Sequence, residues 1–223
     1  MGQRMTLGPM RSALLLAAML AAWQPSKARA GEEDTQFWLN AIATGQIGEG
    51  TTLTIDATQR WRGDEEVGND QQTIRVMVEQ QVADNTRLGG GIMLFDTAGL
   101  TEIRTHQQAT VIVGRIEART RLEQRFFDGA DRMELRLRQR FTYNQPIANN
   151  WRASAGVEWL GIMQSRRADE GRSTEQWRFQ TNLIHRAAPN LEVGAIYWLV
   201  VFPRGPRPDR VSHIPQATLI YRF

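Results

Sequence analysis

Between residues 115 and 126 the chain reads RIEARTRLEQRF, with charge at every second position: Arg115, Glu117, Arg119, Arg121, Glu123 and Arg125. Between them stand Ile116, Ala118, Thr120, Leu122, Gln124 and Phe126, which are largely apolar. The next segment repeats the pattern. Arg132, Glu134, Arg136, Arg138 and Arg140 alternate with Met133, Leu135, Leu137, Gln139 and Phe141. At 3.6 residues per turn these charges would scatter around a helix, whereas at period two they fall on one face. The pattern therefore predicts two neighbouring strands, each with one charged and one apolar face.

Period-two segments recur along the rest of the chain. They cover residues 35–47, 51–62, 71–82, 86–95, 102–113, 115–127, 132–143, 151–163, 174–185, 191–201 and 215–223. Most are ten to thirteen residues long, which suits a tilted strand crossing a bilayer better than a globular strand of about five or six residues. The connectors alternate. ADN, VG, QPIANN and RAAPN are tight or modest, whereas EEVGND, DTAGL, SRRADEGR and FPRGPRPDRVS are more polar and mostly longer. Short turns at one end and longer loops at the other are the habit of outer-membrane barrels. The expected fold is all-β, an antiparallel up-and-down transmembrane barrel of about 10–12 strands. Eleven segments is an odd number, and single-chain bacterial barrels usually have an even one. Either 35–47 is not a regular barrel strand, giving ten, or one strand is merged or missed, giving twelve.

Hydrocarbon decides which face points where. An arginine at the bilayer midplane costs about 2–4 kcal/mol, so the charged rows must turn inward. The expected interior lining is Arg75, Glu79, Arg115, Glu117, Arg119, Arg121, Glu123, Arg125, Arg132, Glu134, Arg136, Arg138, Arg140 and Arg178. Thr52, Thr54, Asp56, Thr58, Arg60 and Arg62 share that inward face against Leu53, Ile55, Ala57 and Trp61. Gln107 and Thr181 break the pattern by falling on apolar faces. Aromatic residues near segment ends suggest interfacial girdles: Trp38, Trp61, Phe95, Phe126, Phe141, Tyr143, Trp151, Phe202, Tyr221 and Phe223.

The first thirty residues change the charge argument. Arg4 and Arg11 precede the apolar run ALLLAAMLAAW, and Ala28-Arg29-Ala30 is a small-x-small site. This predicts a secretory signal peptide over 1–30, cleaved before Gly31, and a single barrel domain over 31–223. Arg4, Arg11, Lys27 and Arg29 leave with it, so 27 basic residues less four leaves 23 against 24 acidic. The precursor's basic pI is then no argument for nucleic acid, and none is expected as a partner. There are no cysteines, so an exported chain must be stabilised without disulfides. The expected location is the outer membrane of a Gram-negative bacterium.

Several stretches resemble the outer-membrane barrel family known as domain of unknown function 2490: FWLNA (37–41), RTRLEQRFFDG (119–129), ELRLRQRF (134–141), His213 before the last strand and the terminal YRF. GGGIMLF (89–95) replaces a tyrosine-rich strand of the family pattern. The resemblance implies a barrel of unassigned role. The chain ends ATLIYRF, apolar at alternate positions and closing on phenylalanine, similar to the signal read by bacterial barrel-assembly machinery.

Three functional readings follow. An arginine-lined interior suits a narrow channel for small anionic solutes, but neighbouring carboxylates would equally make it an ion-paired plug. A lipid-modifying enzyme needs a Ser/His/acid set. The candidates are His106, His185 and His213 with Ser154, Ser165, Ser173 and Ser212; Ser212 and His213, adjacent on a strand, point to opposite faces. The expected protein is therefore not an enzyme and needs no metal or cofactor. A surface receptor would place its binding residues in 64–70, 166–172 and 204–210.

Overall fold

A computed structural model describes residues 32–62, 70–97 and 100–223. The segment 1–30, expected to be a signal peptide, and most of the loop 64–70 lie outside the described residues. Among the described residues eleven strands follow one another: β1 (Glu33–Gly48), β2 (Thr51–Arg62), β3 (Gln71–Ala83), β4 (Thr86–Thr97), β5 (Leu100–Val113), β6 (Ile116–Phe127), β7 (Glu134–Ala148), β8 (Trp151–Gln164), β9 (Ser173–Ala188), β10 (Leu191–Arg204) and β11 (Arg207–Arg222). They close into one barrel in which each strand pairs with its sequence neighbours and β1 meets β11.

The segment 35–47 is thus a regular strand, and the count is the odd number itself rather than ten or twelve. An odd up-and-down ring cannot close antiparallel, and the β1–β11 seam is parallel, running from Glu33↔Val211 to Thr44↔Arg222. The chain consequently enters β1 at one end of the barrel and leaves β11 at the other. Closure is tightened at both ends of the seam. The Val211 amide donates to Glu32 O at 2.9 Å, and the Phe223 amide donates to Thr44 O at 3.2 Å. Gly45 has to be glycine here, because an added Cβ would sit 2.3 Å from the Phe223 carbonyl oxygen and 2.6 Å from its ring. Pro215 has no N–H for the ladder, and the β1–β11 partners skip from Thr35↔His213 to Trp38↔Gln216 around it.

Five two-residue turns join strand pairs at one end, among them Glu49-Gly50, Asp84-Asn85 and Asn149-Asn150. Asn, Asp and Gly tolerate the positive φ of tight hairpins, and Gly50 takes φ 65°. The opposite end carries the longer connections. FPRGPRPDRVS, expected there as a loop, is instead two strand ends around a tight turn at Gly205 (φ 64°), with Arg204 opposite Arg207. Its prolines and arginines masked the alternation that resumes at Arg210, Ser212 and Ile214. QPIANN similarly continues β7 as far as Ala148.

Outward positions carry the exposed large apolar side chains, including Leu39, Ile55, Val76, Leu94, Phe141, Trp177 and Leu219. Phe37 stacks on Trp61 at the loop end (5.6 Å), and Trp151 packs on His185 at the tight-turn end (4.4 Å). Trp38 and Phe95, expected in girdles, are instead buried inside at 7% and 5% exposure. Gln107, one of the two off-pattern residues, finds a local answer. Gln124 donates to Gln107 at 2.9 Å and accepts from Thr105 at 2.8 Å, so outward polar groups satisfy one another. The glycine run of β4 makes room for its neighbours, since a Cβ on Gly91 would meet the His106 ring at 2.9 Å.

Candidate functional site

The interior is unlike the outside. Alternation on β5, β6 and β7 points Glu102, Arg104, Arg119, Arg121, Glu123, Glu134 and Arg136 inward, and all are buried. Register sets Glu123 opposite Arg136 and Arg125 opposite Glu134, and facing pairs lie within side-chain reach. Register alone would set Arg119 against Arg140 and Arg121 against Arg138. Arg119, Arg138 and Arg140 avoid that repulsion by reaching diagonally to acids on other strands, and Arg121 donates to Gln108 on β5 instead.

Glu123, 1% exposed, is the hub. Arg136 donates to its Oε2 from Nε (2.8 Å) and Nη2, and Arg138 donates from Nη1 to Oε1 at 2.9 Å. Arg121 and Arg104 stand at 3.7 and 3.8 Å. Glu158 of β8 is the second hub, bound by Arg138 at 2.7 Å through Oε2 and by Arg119 through Oε1. Arg125 joins Glu102 (2.6 Å), Glu134 and Glu175 (3.2 Å), and Arg136 also reaches Glu175 at 2.7 Å. Arg140 pairs with Glu117 at 3.0 Å. Arg75 pairs with Asp56, and Glu79 accepts from Gln108 at 2.7 Å. Arg178 turns to Gln176 at 3.0 Å.

Two expected lining residues lie elsewhere. Arg115 occupies the exposed tight turn between β5 and β6, where it bonds Gln145 and, at 3.3 Å, Tyr143. The alternation runs through the turn, so sequence period alone could not mark where the strand stops. Arg132 lies in the loop before β7 and donates to Ser165 O (2.8 Å) and Arg167 O (3.2 Å), pinning loop 165–172 to loop 128–133. In that same loop Glu170 accepts from Ser165 (2.7 Å) and Arg167 (3.1 Å), which holds its carboxyl below the ordinary value.

Other members of the network were not singled out by sequence. Glu102, Arg104, His106 and Gln108 alternate on β5, but polar Thr105 and Gln107 on the outer face blur the pattern. Glu158 is the lone acid of β8, flanked by apolar Val157, Trp159 and Leu160. Glu175 joins from the start of β9, which carries one charge per few residues.

The wall formed by β10, β11 and β1 differs. Trp38, Val200 and Ile214 form a buried apolar cluster with Trp198 and Phe202 against it. The two walls are linked by cations stacked on rings. Arg60 lies over Trp38 (4.2 Å) and Phe95 (5.5 Å), and Arg104 lies over Phe95 (4.0 Å). A connected belt thus runs from Trp198 through Trp38, Arg60, Phe95, Arg104, Glu102, Arg125 and Glu175 to Arg136.

The histidines are dispersed. His106 is buried inside, His185 stacks on Trp151 outside, and His213 takes Tyr197 as its partner on the outer face. Ser212 is buried inward while His213 points out, as neighbours on a strand must. No serine hydroxyl bonds a histidine among the described residues.

The class defined by these observations is a closed, eleven-stranded, mostly antiparallel β-barrel with an apolar exterior and an ion-paired interior. A family model described as a protein of unknown function (DUF2490) matches residues 35–211, and the chain belongs to that family. No curated protein matches the chain.

Proposed function

We propose that the protein is an outer-membrane barrel of a Gram-negative bacterium whose interior is a salt-bridged plug rather than an open pore. The observation that carries this reading is the belt of side chains described above, which ties β10, β1, β2, β4, β5, β6, β9 and β7 together across the interior. A barrel of about eight strands is nearly filled by its own side chains. Here eleven strands enclose more space, and paired arginines and glutamates are among the longest side chains available to fill it. The outward apolar band, strands of 12–16 residues and a final strand whose outward positions end on Leu219 and Tyr221 support a bilayer setting. Its partners in this reading are outer-membrane lipid and, during biogenesis, the barrel-assembly machinery.

Planar-bilayer recording of the purified barrel tests the reading. The wild type is expected to give no current above background, whereas Arg136→Ala with Arg138→Ala opens a measurable conductance or lowers stability. A steady anion-selective current through the wild type would replace the plug with a channel.

A further inference from the structure

The outward faces of β5, β6 and β7 carry a polar island inside the apolar band. Strand register sets Thr105 beside Gln124, Gln107 beside Leu122, and Ala109, Thr120 and Gln139 in one row. Apolar side chains bracket the island along the same strands: Ile103 and Val111 on β5, Ile116 and Phe126 on β6, Leu137 and Phe141 on β7. Around the ring it is flanked by Leu88 and Ile92 on β4 and by Ala155, Val157 and Trp159 on β8. In a bilayer these polar groups lie where no water reaches them.

Their mutual bonds use only part of each amide. Gln124 Nε2 donates to Gln107 Oε1 at 2.9 Å, and Gln107 Nε2 returns a longer bond of 3.4 Å. Thr105 and Thr120 donate to the side-chain oxygens of Gln124 (2.8 Å) and Gln139 (2.6 Å). A carboxamide carries two N–H donors. One on Gln107, one on Gln124 and both on Gln139 therefore have no acceptor among the described residues. Facing hydrocarbon, such donors cost free energy until an acceptor on another molecule meets them. The island carries no charge, so it calls for no counter-ion. It offers amide donors and acceptors side by side, which makes it complementary to itself. Copies of one barrel insert in one direction, so a twofold axis between two of them runs along the membrane normal. Each residue then meets its own counterpart's depth, and glutamine faces glutamine.

We propose that two copies of the barrel pair side by side in the membrane through β5, β6 and β7, with Leu122 at the centre and Gln107, Gln124 and Gln139 exchanging amide hydrogen bonds across the twofold axis. Gly90, opposite Gln107 on β4, and Ala109 have little side chain of their own and leave the amides free to reach the partner. This inference rests on the outer-membrane part of the reading above and is indifferent to whether the interior is plugged.

The chain has no cysteine, so a single introduced one reports on a single face. Leu122→Cys and, on β9 away from the island, Leu183→Cys are inserted into phosphatidylcholine vesicles at a low protein-to-lipid ratio. The vesicles are floated in a density gradient and treated with a short bis-maleimide. Leu122→Cys is expected to give covalent dimers, and Leu183→Cys is not. Adding Gln107→Leu, Gln124→Leu and Gln139→Leu to Leu122→Cys should cut the dimer yield by roughly tenfold or more. The unfolding midpoint should be no lower, because the new side chains face lipid. That combination separates a docking face from a merely structural one. If the added substitutions prevent insertion, the two single-cysteine proteins decide alone. Equal yields at both positions, a yield untouched by loss of the amides, or floated protein without dimers would overturn the proposal and leave the face to lipid or to a different membrane protein. Protein that does not float with the vesicles would sink the membrane reading itself, and the dimer with it.

Discussion

The two interior walls of this barrel solve the same packing problem with opposite chemistry. From β5 to β9 the space is filled by arginines and glutamates that cross-link several strands at a time. From β10 through β11 to β1 it is filled by Trp38, Trp198, Val200, Phe202 and Ile214, as in a water-soluble core. The difference lies in how each wall fails. An apolar cluster loses contact area when one member is trimmed, and its neighbours partly collapse into the gap. An ion-pair network strands a buried charge when one member is removed, and no neighbour can move to neutralise it. A network hub should therefore be the more fragile site, although the network as a whole need not be the more stabilising wall.

The largest effect is expected at Glu123. Glu123→Ala leaves Arg136 and Arg138 each short of a buried partner, at a cost of about 3–5 kcal/mol. Urea unfolding of the vesicle-reconstituted barrel, followed by tryptophan fluorescence, measures it. The comparison sharpens if Arg136→Met and Arg138→Met are added to Glu123→Leu. Glu158 then keeps Arg119 and Glu175 keeps Arg125, so no acid is stranded, Arg121 retains Gln108 as its hydrogen-bond partner although it loses Glu123, and part of the lost stability should return. A triple variant as weak as Glu123→Ala would mean that the arginines stabilise the wall beyond charge balance.

On the apolar wall, Ile214→Ala is expected to cost about 2–3 kcal/mol, the low end for deleting a buried aliphatic side chain. Trp38, Trp198 and Phe202 surround the gap and have room to settle into it. The same unfolding measurement applies, and the native fluorescence spectrum should shift as well, because two of the flanking groups are tryptophans. A loss exceeding that of Glu123→Ala would reverse the ranking of the two walls.

The two walls were also unequally legible in the sequence. Strict alternation of charge on residues 117–125 and 134–140 marks both strands and their inward faces, because no other secondary structure gathers those residues on one side. The apolar wall gives no such signal. On β10, Trp198 and Val200 point inward while Tyr197 and Leu199 point outward, so both faces read as apolar and period two carries no direction. Trp38 and Phe95 looked like girdle residues for the same reason, and only the closed ring shows which side they occupy. The partners of each arginine were hidden for another reason. Strand register places Arg121 opposite Arg138, and the diagonal reach to Glu123 and Glu158 depends on side-chain length in three dimensions rather than on spacing. The parallel seam, by contrast, follows from the odd strand count by arithmetic once every segment is accepted as a strand.

The smallest effect is expected outside both walls, in the loop that Arg132 pins above the charged one. Ser165 and Arg167 hold the Glu170 carboxyl below its ordinary value, so the folded loop favours the ionised form. A depressed carboxylate contributes its stabilisation above the ordinary carboxylate pKa and loses it as pH falls through the lower, folded value. Acidification through that window should therefore loosen loop 165–172 while the barrel stays closed, because among the described residues Glu170 bonds only within its own loop. Limited proteolysis, cutting after Arg166, Arg167 or Arg172 in a folded barrel, reads the loop alone at neutral pH. Glu170→Gln should be cut there faster than the wild type, and Arg132→Ala faster still, since it releases the loop from its neighbour rather than from one internal bond. Equal cleavage of all three proteins would show that neither contact holds the loop.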